Sequence, residues 1–444
     1  MGPARTTPAL FSASLGFFTV ILDTTLVNVA LPAIGADLGE RVADLGWVLD
    51  SYLVVFAALL LSAGALSDRL GARRCYAIGM AAFALSSAAC ALAPSLVFLV
   101  AARAVQGVGA ALMLPASLAL VRQTFDDPGE RTRAISLWTA AGGVGLAAGP
   151  VVGGVLTQAA GWESAFLVNL PVAFVCLICL RGVGPSPRRD APIDVAAQLA
   201  AVVALGGLVL AVVEGGHEGW GGAVPIGGVV AFLVGGAYFL LAQAGSPNPM
   251  LPLDLFRSGA VSTVLAAGFA INLAIYGTIF VLSLFFQNEL GRSALVAGLL
   301  FLPLTGMTGI WNLVAGRIIA ARGPRSPLVV GALIAAAGFA ALALLDRDSS
   351  DLAILASLLP VGIGAGLAVP PLLSAMLEAA PHESSGAAAG ALNAARQLGG
   401  AIGVAVFGVL IGGEFVDGLH ASVLISAAIC LVAAFACSRL PDVT

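Results

Sequence analysis

The 444-residue chain contains no lysine and very little charge of either sign. Charged residues make up 10% of it, against about 25% in a soluble globular protein, so they are too few to cover a water-facing surface. The chain has three histidines and no His-Glu-x-x-His, Gly-x-Ser-x-Gly or phosphate-binding loop motif. These absences exclude soluble, disordered and nucleic-acid-binding proteins, and they argue against a membrane enzyme or an ATP-driven pump.

The rest of the chain consists largely of long apolar runs, and 59% of its residues are hydrophobic. A membrane-spanning helix needs about 20 mostly apolar residues. The sequence therefore predicts an all-α integral membrane protein with about 14 transmembrane helices. The predicted segments lie near residues 9–31, 46–66, 76–93, 96–117, 134–157, 164–181, 195–214, 223–243, 260–286, 293–315, 327–345, 352–377, 386–411 and 419–438.

The arginines predict how these segments are oriented. With a cytoplasmic N-terminus and alternating spans, Arg41, Arg292 and Arg347 fall on the outer side, and Arg103 and Arg396 fall within spans. The remaining 15 of the 20 basic residues fall on the cytoplasmic side, as the positive-inside rule requires. We therefore expect both termini in the cytoplasm.

Two sequence matches at nearly the same offset indicate an internal repeat. The string GVGAALMLPA from Gly107 returns as GIGAGLAVPP from Gly362, an offset of 255 residues. The loop residues Gly64, Gly71 and Arg73 return as Gly316, Gly323 and Arg325, an offset of 252. We predict two pseudo-symmetric six-helix bundles, at residues 1–188 and 251–444, with two additional helices inserted at 189–250. Parallel repeats of this kind place a substrate path between them near the membrane midplane.

The two halves differ in their charges. Asp68 of the first half corresponds to Ala320, and Arg103 corresponds to Leu358. The N-terminal half is therefore predicted to hold the ion chemistry.

Asp23 and Arg103 are the main candidates for that chemistry. Each lies about eight residues from the predicted outer end of its helix, which places both about 12 Å deep and makes an ion pair possible. A charge at that depth costs at least about 2.5–3.5 kcal/mol and normally faces a partner or a cavity. Two interpretations remain open: a structural ion pair and a proton site whose affinity changes as the cavity opens and closes.

Other polar and aromatic side chains are candidates for the substrate cavity. Asp50 lies one turn inside the outer end of its helix, beside Trp47, and is expected to be a wet, interfacial carboxylate more often than a ligand. Arg396 is a deep charge with either a structural or a substrate-binding role. The predicted cavity residues are Thr24, Asn28, Tyr52, Gln106, Tyr276, Trp311 and Arg396.

Two glycine-containing segments indicate elements that change conformation during transport, a bendable helix and a gating loop. Gly145, Gly149 and Gly153 form one bare helical stripe, and with Pro150 and Gly154 they indicate a bendable, closely packed helix at a bundle interface. In the loop from Gly64 to Arg74, Asp68 is expected to accept bonds from a facing helix N-terminus. Arg69 and Arg73 are expected to pair with acids, and together these contacts would lock the inner gate.

Four motifs in this order resemble the signatures of the major facilitator superfamily: LDTTLVNVALP, GALSDRLGARR, LVAARAVQGVGAA and GLAAGPVVGG. With 14 spans the chain is similar to the drug/proton antiporter branch, and the resemblance covers essentially the whole sequence. It implies that Asp23 and Arg103 take part in proton coupling and that Gly149 and Pro150 belong to the antiporter motif. It also implies that Asp68 and Arg69 stabilise the inner gate.

The function expected from these observations is proton-driven export of amphipathic, neutral or weakly cationic drugs or antibiotics across a bacterial inner membrane. The expected partners are a small-molecule substrate, protons and the lipid bilayer. We expect a monomer that needs no metal ion or cofactor. Open alternatives are export of an endogenous metabolite, a sensor or scaffold without transport, and an uptake symporter. The glycine-rich segment from Gly145 to Gly154 argues against the symporter.

Overall fold

The computed structural model describes residues 3–39, 42–125, 127–188, 194–217, 219–246, 249, 251, 253–381 and 385–440. Within these ranges the regular structure is helical, with no β-strand. Single 3-10 turns lie at Val42–Leu45 and Leu253–Arg257, and a π-helical turn at Phe285–Glu289 continues α10. The helices are α1 Pro3–Leu38, α2 Gly46–Leu70, α3 Ala72–Ala91, α4 Leu96–Thr124, α5 Pro128–Ala160, α6 Ser164–Leu167, α7 Asn169–Arg181, α8 Val195–His217, α9 Ala223–Gly245, α10 Gly259–Leu284, α11 Ala294–Leu300, α12 Leu302–Arg322, α13 Arg325–Leu342, α14 Asp351–Ala379, α15 Ser385–Leu410 and α16 Phe415–Cys437.

The predicted all-α membrane fold is confirmed. In the described part of the chain, 13 helical segments are long and apolar enough to cross a membrane. Helix α2 adds a shorter apolar stretch at Gly46–Leu60. Each predicted segment overlaps a helix, and the segments at 164–181 and 293–315 each extend over two helices, α6 with α7 and α11 with α12. Arg41 and residues 189–193, which follow the predicted domain junction and include Arg189, lie outside the described residues.

The internal repeat is visible in how the helices end and pack. Gly71 (φ 84°) separates α2 from α3, and its repeat equivalent Gly323 (φ 71°) separates α12 from α13. Ser95 caps the N-terminus of α4, and Ser350 caps that of α14. Helix α1 packs on α5 as α10 packs on α15, and α3 packs on α4 as α13 packs on α14. The sequence therefore builds two similar bundles, α1–α7 and α10–α16.

The two inserted helices form a pair at the edge of the bundles. Helices α8 and α9 pack on each other, and α8 also contacts both α2 and α15. The Gln198 amide of α8 donates to the Ala58 carbonyl of α2, and Gly216 of α8 lies against Val409 of α15. The inserted pair thus contacts both bundles through α8.

The bundles meet at the end of the molecule where α1 ends and α2 begins, which we call the closed end. It corresponds to the predicted outer side. Among the described residues, four hydrogen bonds cross the boundary there: Ser283 Oγ to Asn28 O at 2.6 Å, Gln287 Nε2 to Val29 O at 3.0 Å, Leu295 N to Gln158 Oε1 at 3.3 Å, and Thr305 Oγ1 to Ala147 O at 3.3 Å.

Ion pairs connect the loops of the second bundle at the closed end. Arg347 lies 2.7 Å from Glu289 and 2.9 Å from Glu414, and Arg292 lies 2.7 Å from Asp351. The hydrogen bond to Glu289 raises the pKa of Arg347. Because these pairs are exposed to solvent, each contributes little to stability.

Candidate functional site

Asp23 of α1 and Arg103 of α4 form a buried ion pair. Arg103 Nη1 lies 2.5 Å from Asp23 Oδ2, and both side chains are 0% exposed. The two residues are 80 positions apart in the sequence. They meet because each lies at a similar depth in its helix, and α1 and α4 pack on each other. The carboxylate faces neither lipid nor water in this conformation.

Three further side chains complete a polar network around Asp23. Gln106 Nε2 and Asn169 Nδ2 both donate to Asp23 Oδ1, at 3.1 and 2.9 Å. The same two amides donate to Ser87 Oγ, at 3.3 and 3.0 Å. Helices α1, α3, α4 and α7 therefore each supply one or more members, and Asp23 accepts bonds on both oxygens.

Arg103 is held by several contacts besides Asp23. Its Nε donates to the Val48 carbonyl at 3.0 Å, and its Nη1 also donates to Gln106 Oε1 at 2.8 Å. The guanidinium lies 4.3 Å from the centre of the Tyr52 ring, a cation–π distance. Its Nη2 has no hydrogen-bond partner, and neither has the buried hydroxyl of Tyr52.

These unpartnered atoms bear on the role of the network. A buried charge pair used only for packing is normally hydrogen bonded throughout, because each unpaired polar atom costs free energy. Here one donor of Arg103 and the Asn169 Oδ1 acceptor remain free within a buried cluster. The network therefore has unused hydrogen-bonding capacity beside the carboxylate.

Sequence reasoning missed Ser87 and Asn169. Asn169 lies in the segment WESAFLVNLPV, where a single amide among apolar residues gave a weak signal. The sequence around Ser87 does not distinguish it from any other small residue in a packed membrane helix. The depth of a residue along a helix can be estimated from sequence, but which neighbouring helix its side chain faces in a cluster of four helices cannot.

Thr24 and Asn28 lie on α1 beside the network and bond their own helix. Thr24 Oγ1 donates to Ile21 O at 2.7 Å, and Asn28 Nδ2 donates to Thr24 O at 2.9 Å. Both side chains are buried, and the Asn28 carbonyl accepts the bond from Ser283 at the bundle boundary. These two predicted cavity residues are thus near the place where the bundles meet.

The second bundle places Arg396, Tyr276 and Trp311 in half-buried positions. Arg396 Nη1 donates to Asn393 Oδ1 at 3.4 Å, and its buried Nε has no partner. Tyr276 of α10 lies against Gly400, which is one turn after Arg396 on α15. Trp311 of α12 lies against Gly366 of α14. Arg396 and Tyr276 therefore share one region, whereas Trp311 lies at a separate helix contact.

The predicted gating loop lies at the end of the molecule opposite the closed end. Asp68 and Arg69 are exposed there, and Gly64 is half-buried. Arg73 contacts the first bundle itself: its backbone N–H donates to Ser186 Oγ at 2.9 Å and its Nε to the Leu180 carbonyl at 3.2 Å. The expected pairing of Arg73 with an acid is therefore replaced in this conformation by bonds to the last turn of α7 and to the chain that follows it.

The glycines of α5 face two different helices. A Cβ at Gly145 would lie 2.5 Å from the Phe18 carbonyl oxygen, and one at Gly153 would lie 2.6 Å from that of Leu26. Gly149 lies between them, against Thr25. This stripe packs α5 onto α1 within the first bundle.

On its other side α5 contacts the second bundle. Gly154 lies against the Ala294 carbonyl at the start of α11, and Gly298 of α11 lies against the Pro150 carbonyl. The backbones of the two helices can approach this closely because neither residue has a side chain. Helix α5 therefore joins α1 to the bundle boundary.

We expect Gly154→Leu to disfavour the closed end, because the new side chain would clash with the α11 backbone. Overpacking of this kind costs about 1–3 kcal/mol, which lowers the ratio of closed to open molecules by a factor of about 5 to 140. The measurement is substrate counterflow in proteoliposomes, which should slow to a similar extent. Gly143→Leu on the same helix is the matched control, since nothing lies within 4 Å of its Cβ position. Equal rates for both variants would contradict the assignment.

Asp50 differs from its sequence-based expectation. It was expected to be a wet carboxylate at the membrane interface, but the structure buries it completely, at 0% exposure. The expectation was wrong because the helix end was judged as an isolated span. The second bundle covers that end of α2 and excludes water from it.

Comparisons with known proteins agree with this fold. Residues 13–404 match the family described as Major Facilitator Superfamily. The chain is 35% identical over 407 residues to the methylenomycin A resistance protein of Bacillus subtilis, covering 90% of this chain and 87% of that one. It is 36% identical over 419 residues to the tetracenomycin C resistance and export protein of Streptomyces glaucescens, covering 93% and 77%. The crystal structure of a D-xylose-proton symporter superimposes with a TM-score of 0.71 at 16% identity, covering 98% of both chains, which is a likeness of fold alone.

Proposed function

The chain belongs to the Major Facilitator Superfamily, and we propose that it exports amphipathic drugs or antibiotics across the bacterial cell membrane in exchange for protons. Members of this family are membrane transporters, so the chain is a transporter and not an enzyme. We further propose that it acts as a monomer in the inner membrane with both termini in the cytoplasm.

The names of the relatives support drugs as the substrate class. The Bacillus subtilis relative is a resistance protein for methylenomycin A, and the Streptomyces glaucescens relative is named for both resistance and export. Both cover at least 90% of this chain at more than a third identity, so the similarity includes both bundles and the inserted helices. A dedicated exporter of an endogenous metabolite is the second candidate, because the name of the Streptomyces glaucescens relative includes export as well as resistance.

The observation that carries the coupling proposal is the buried Asp23–Arg103 pair with its unused hydrogen-bonding capacity. Arginine stays protonated, so the carboxyl group is the member that gains and loses a proton. When Asp23 is protonated, its attraction to Arg103 is lost and the network rearranges. The free energy of proton binding is thereby coupled to the arrangement of α1, α3, α4 and α7.

Transport would proceed by alternating access between the two bundles. The structure has the bundles in contact at the closed end, with Asp68 and Arg69 exposed at the other end. In the cycle, substrate enters from the cytoplasmic side, the bundles rock, and a proton taken up outside and released inside resets the protein. Arg396 and Tyr276, half-buried on the second bundle, are the proposed substrate contacts together with Tyr52, Gln106, Thr24 and Asn28.

One proton per cycle is enough energy for useful export. At a membrane potential of about 150 mV, one charge supplies about 3.5 kcal/mol. This corresponds to a substrate gradient of about 300-fold at 1.4 kcal/mol per factor of ten.

The experiment that tests the proposed function is transport in inverted membrane vesicles with an imposed proton gradient. We expect accumulation of a drug against its gradient, and its collapse when a proton ionophore is added. Vesicles without the protein are the control for leakage. Accumulation that continues unchanged with the ionophore would exclude proton coupling, whereas a lack of any counterflow would favour the sensor or scaffold alternative.

A further inference from the structure

Asp50 is a buried carboxyl group that the Asp23 network does not use. It lies in the second turn of α2 and is 0% exposed. Neither of its carboxyl oxygens has a hydrogen-bond partner. An ionised carboxylate without a partner is among the most costly groups to bury, and such a group normally becomes neutral instead.

The Asp50 side chain lies at the boundary between the bundles. It is four residues from Gly46 and therefore on the same face of α2. A Cβ at Gly46 would lie 3.5 Å from Val404 Cγ1, 3.9 Å from Asp50 Oδ2 and 4.0 Å from Phe280 Cζ. Val404 belongs to α15 and Phe280 to α10, both in the second bundle. The carboxyl group thus faces apolar atoms of the opposite bundle.

In the part of the chain that the structure describes, no charge compensates a carboxylate at this position. None of the charged or titratable groups on the elements packed against α2 bonds to either oxygen of Asp50. Arg103 is committed to Asp23, Gln106 and Val48, and Arg73 and Arg74 lie at the opposite end of α2. The other charged or titratable groups that the structure describes on these elements are Asp23 and Asp37 of α1, Asp44 of the preceding turn, Cys75, Tyr76 and Cys90 of α3, Arg122 of α4, Glu214 of α8 and Arg396 of α15. Helix α10, which approaches this turn through Phe280, carries Tyr276.

We propose that Asp50 is a second proton-binding site, which holds a proton while the closed end is closed and releases it to water when that end opens. Closure transfers a proton from the aqueous phase to the carboxylate and yields the neutral acid, and opening returns the proton to water. Opening must separate α2 from α15, which packs on it, and from Phe280 of α10, because Val404 and Phe280 lie beside this turn of α2.

Proton binding at Asp50 makes the ratio of open to closed molecules depend on pH in one direction. Because the closed form binds the proton more tightly, low pH on that side favours closure and high pH favours opening. For one proton, the ratio of open to closed molecules rises by at most about tenfold per pH unit. The inference rests on the alternating access proposed above, and it adds a proton to the closing step, separately from Asp23.

The test is the distance across the closed end, measured by double electron–electron resonance. Spin labels are placed at Ala160 and Asp348, both exposed on loops or helix ends there, after the half-buried Cys179 is replaced by serine. In the unaltered chain, the fraction of molecules with a longer distance between the two spin labels should increase as pH rises. In Asp50→Asn, which cannot ionise, the short distance should persist at every pH. The matched control is Glu378→Gln, an exposed carboxylate on α14, which should keep the pH response.

A second variant that cannot ionise shows whether a lost pH response in Asp50→Asn results from misfolding instead of from the lost carboxyl group. Asp50→Leu removes a buried polar group and should also stay closed at every pH, with no loss of thermal stability. A pH response that is the same in Asp50→Asn and the unaltered chain, or absent from the unaltered chain, would overturn the proposal. The measurement needs neither substrate nor a gradient, so it can succeed even if proton-driven export fails in vesicles.

Discussion

Replacing Asp23 with asparagine should reduce proton-coupled efflux to the background of empty vesicles. Asparagine keeps the size of the side chain but cannot exchange a proton, so the network loses the group that couples protonation to helix packing. The measurement is drug accumulation in inverted vesicles under an imposed proton gradient. Glu378→Gln, which removes an exposed carboxylate far from the network, should leave accumulation intact.

The double variant Asp23→Asn/Arg103→Gln separates a coupling role from a structural one. In Asp23→Asn alone, Arg103 becomes an uncompensated buried charge, which by itself destabilises the protein. The double variant removes both charges and should recover stability without recovering coupled efflux. Efflux that returns to the level of the unaltered chain would falsify the coupling role and leave a structural ion pair.

Replacing Arg103 with methionine should lower the free energy of unfolding by about 3–5 kcal/mol, the cost of leaving a buried partner charge unpaired. Asp23 would then remain at 1% exposure with only the amides of Gln106 and Asn169 as donors. Methionine fills a similar volume, so the loss reports charge more than packing. Thermal or denaturant unfolding of the purified protein in detergent measures it.

Arg122→Met provides the matched control, because Arg122 is an exposed arginine on the same helix. It should change stability by no more than about 0.5 kcal/mol, as surface substitutions normally do. A double-mutant cycle with Asp23→Asn then gives the coupling energy between the two charges. Additive effects of the two single variants would show that the ion pair contributes nothing beyond packing.

Much of the fold could be predicted because it depends on local and periodic properties. The apolar runs mark the spans, since a helix must match the thickness of the hydrocarbon core. Repeated glycines revealed the duplication, and Gly71 and Gly323 do end equivalent helices with positive φ. The depths of Asp23 and Arg103 follow from a rise of 1.5 Å per residue, so the possibility of an ion pair between them could be predicted from the sequence.

Other features depend on which face of each helix meets which neighbour. Asn169 and Ser87 join Asp23 because α7 and α3 present those faces to α1, and no sequence pattern states that rotation. Gly154 was predicted to pack closely at a bundle interface, but the sequence does not show that its neighbour there is α11 of the other bundle. The sequence alone therefore determined a duplicated membrane protein with a deep acid–base pair in its first half. Only the tertiary structure decided that Asp50 is dry, because its burial comes from residues more than 200 positions away that close over the end of α2.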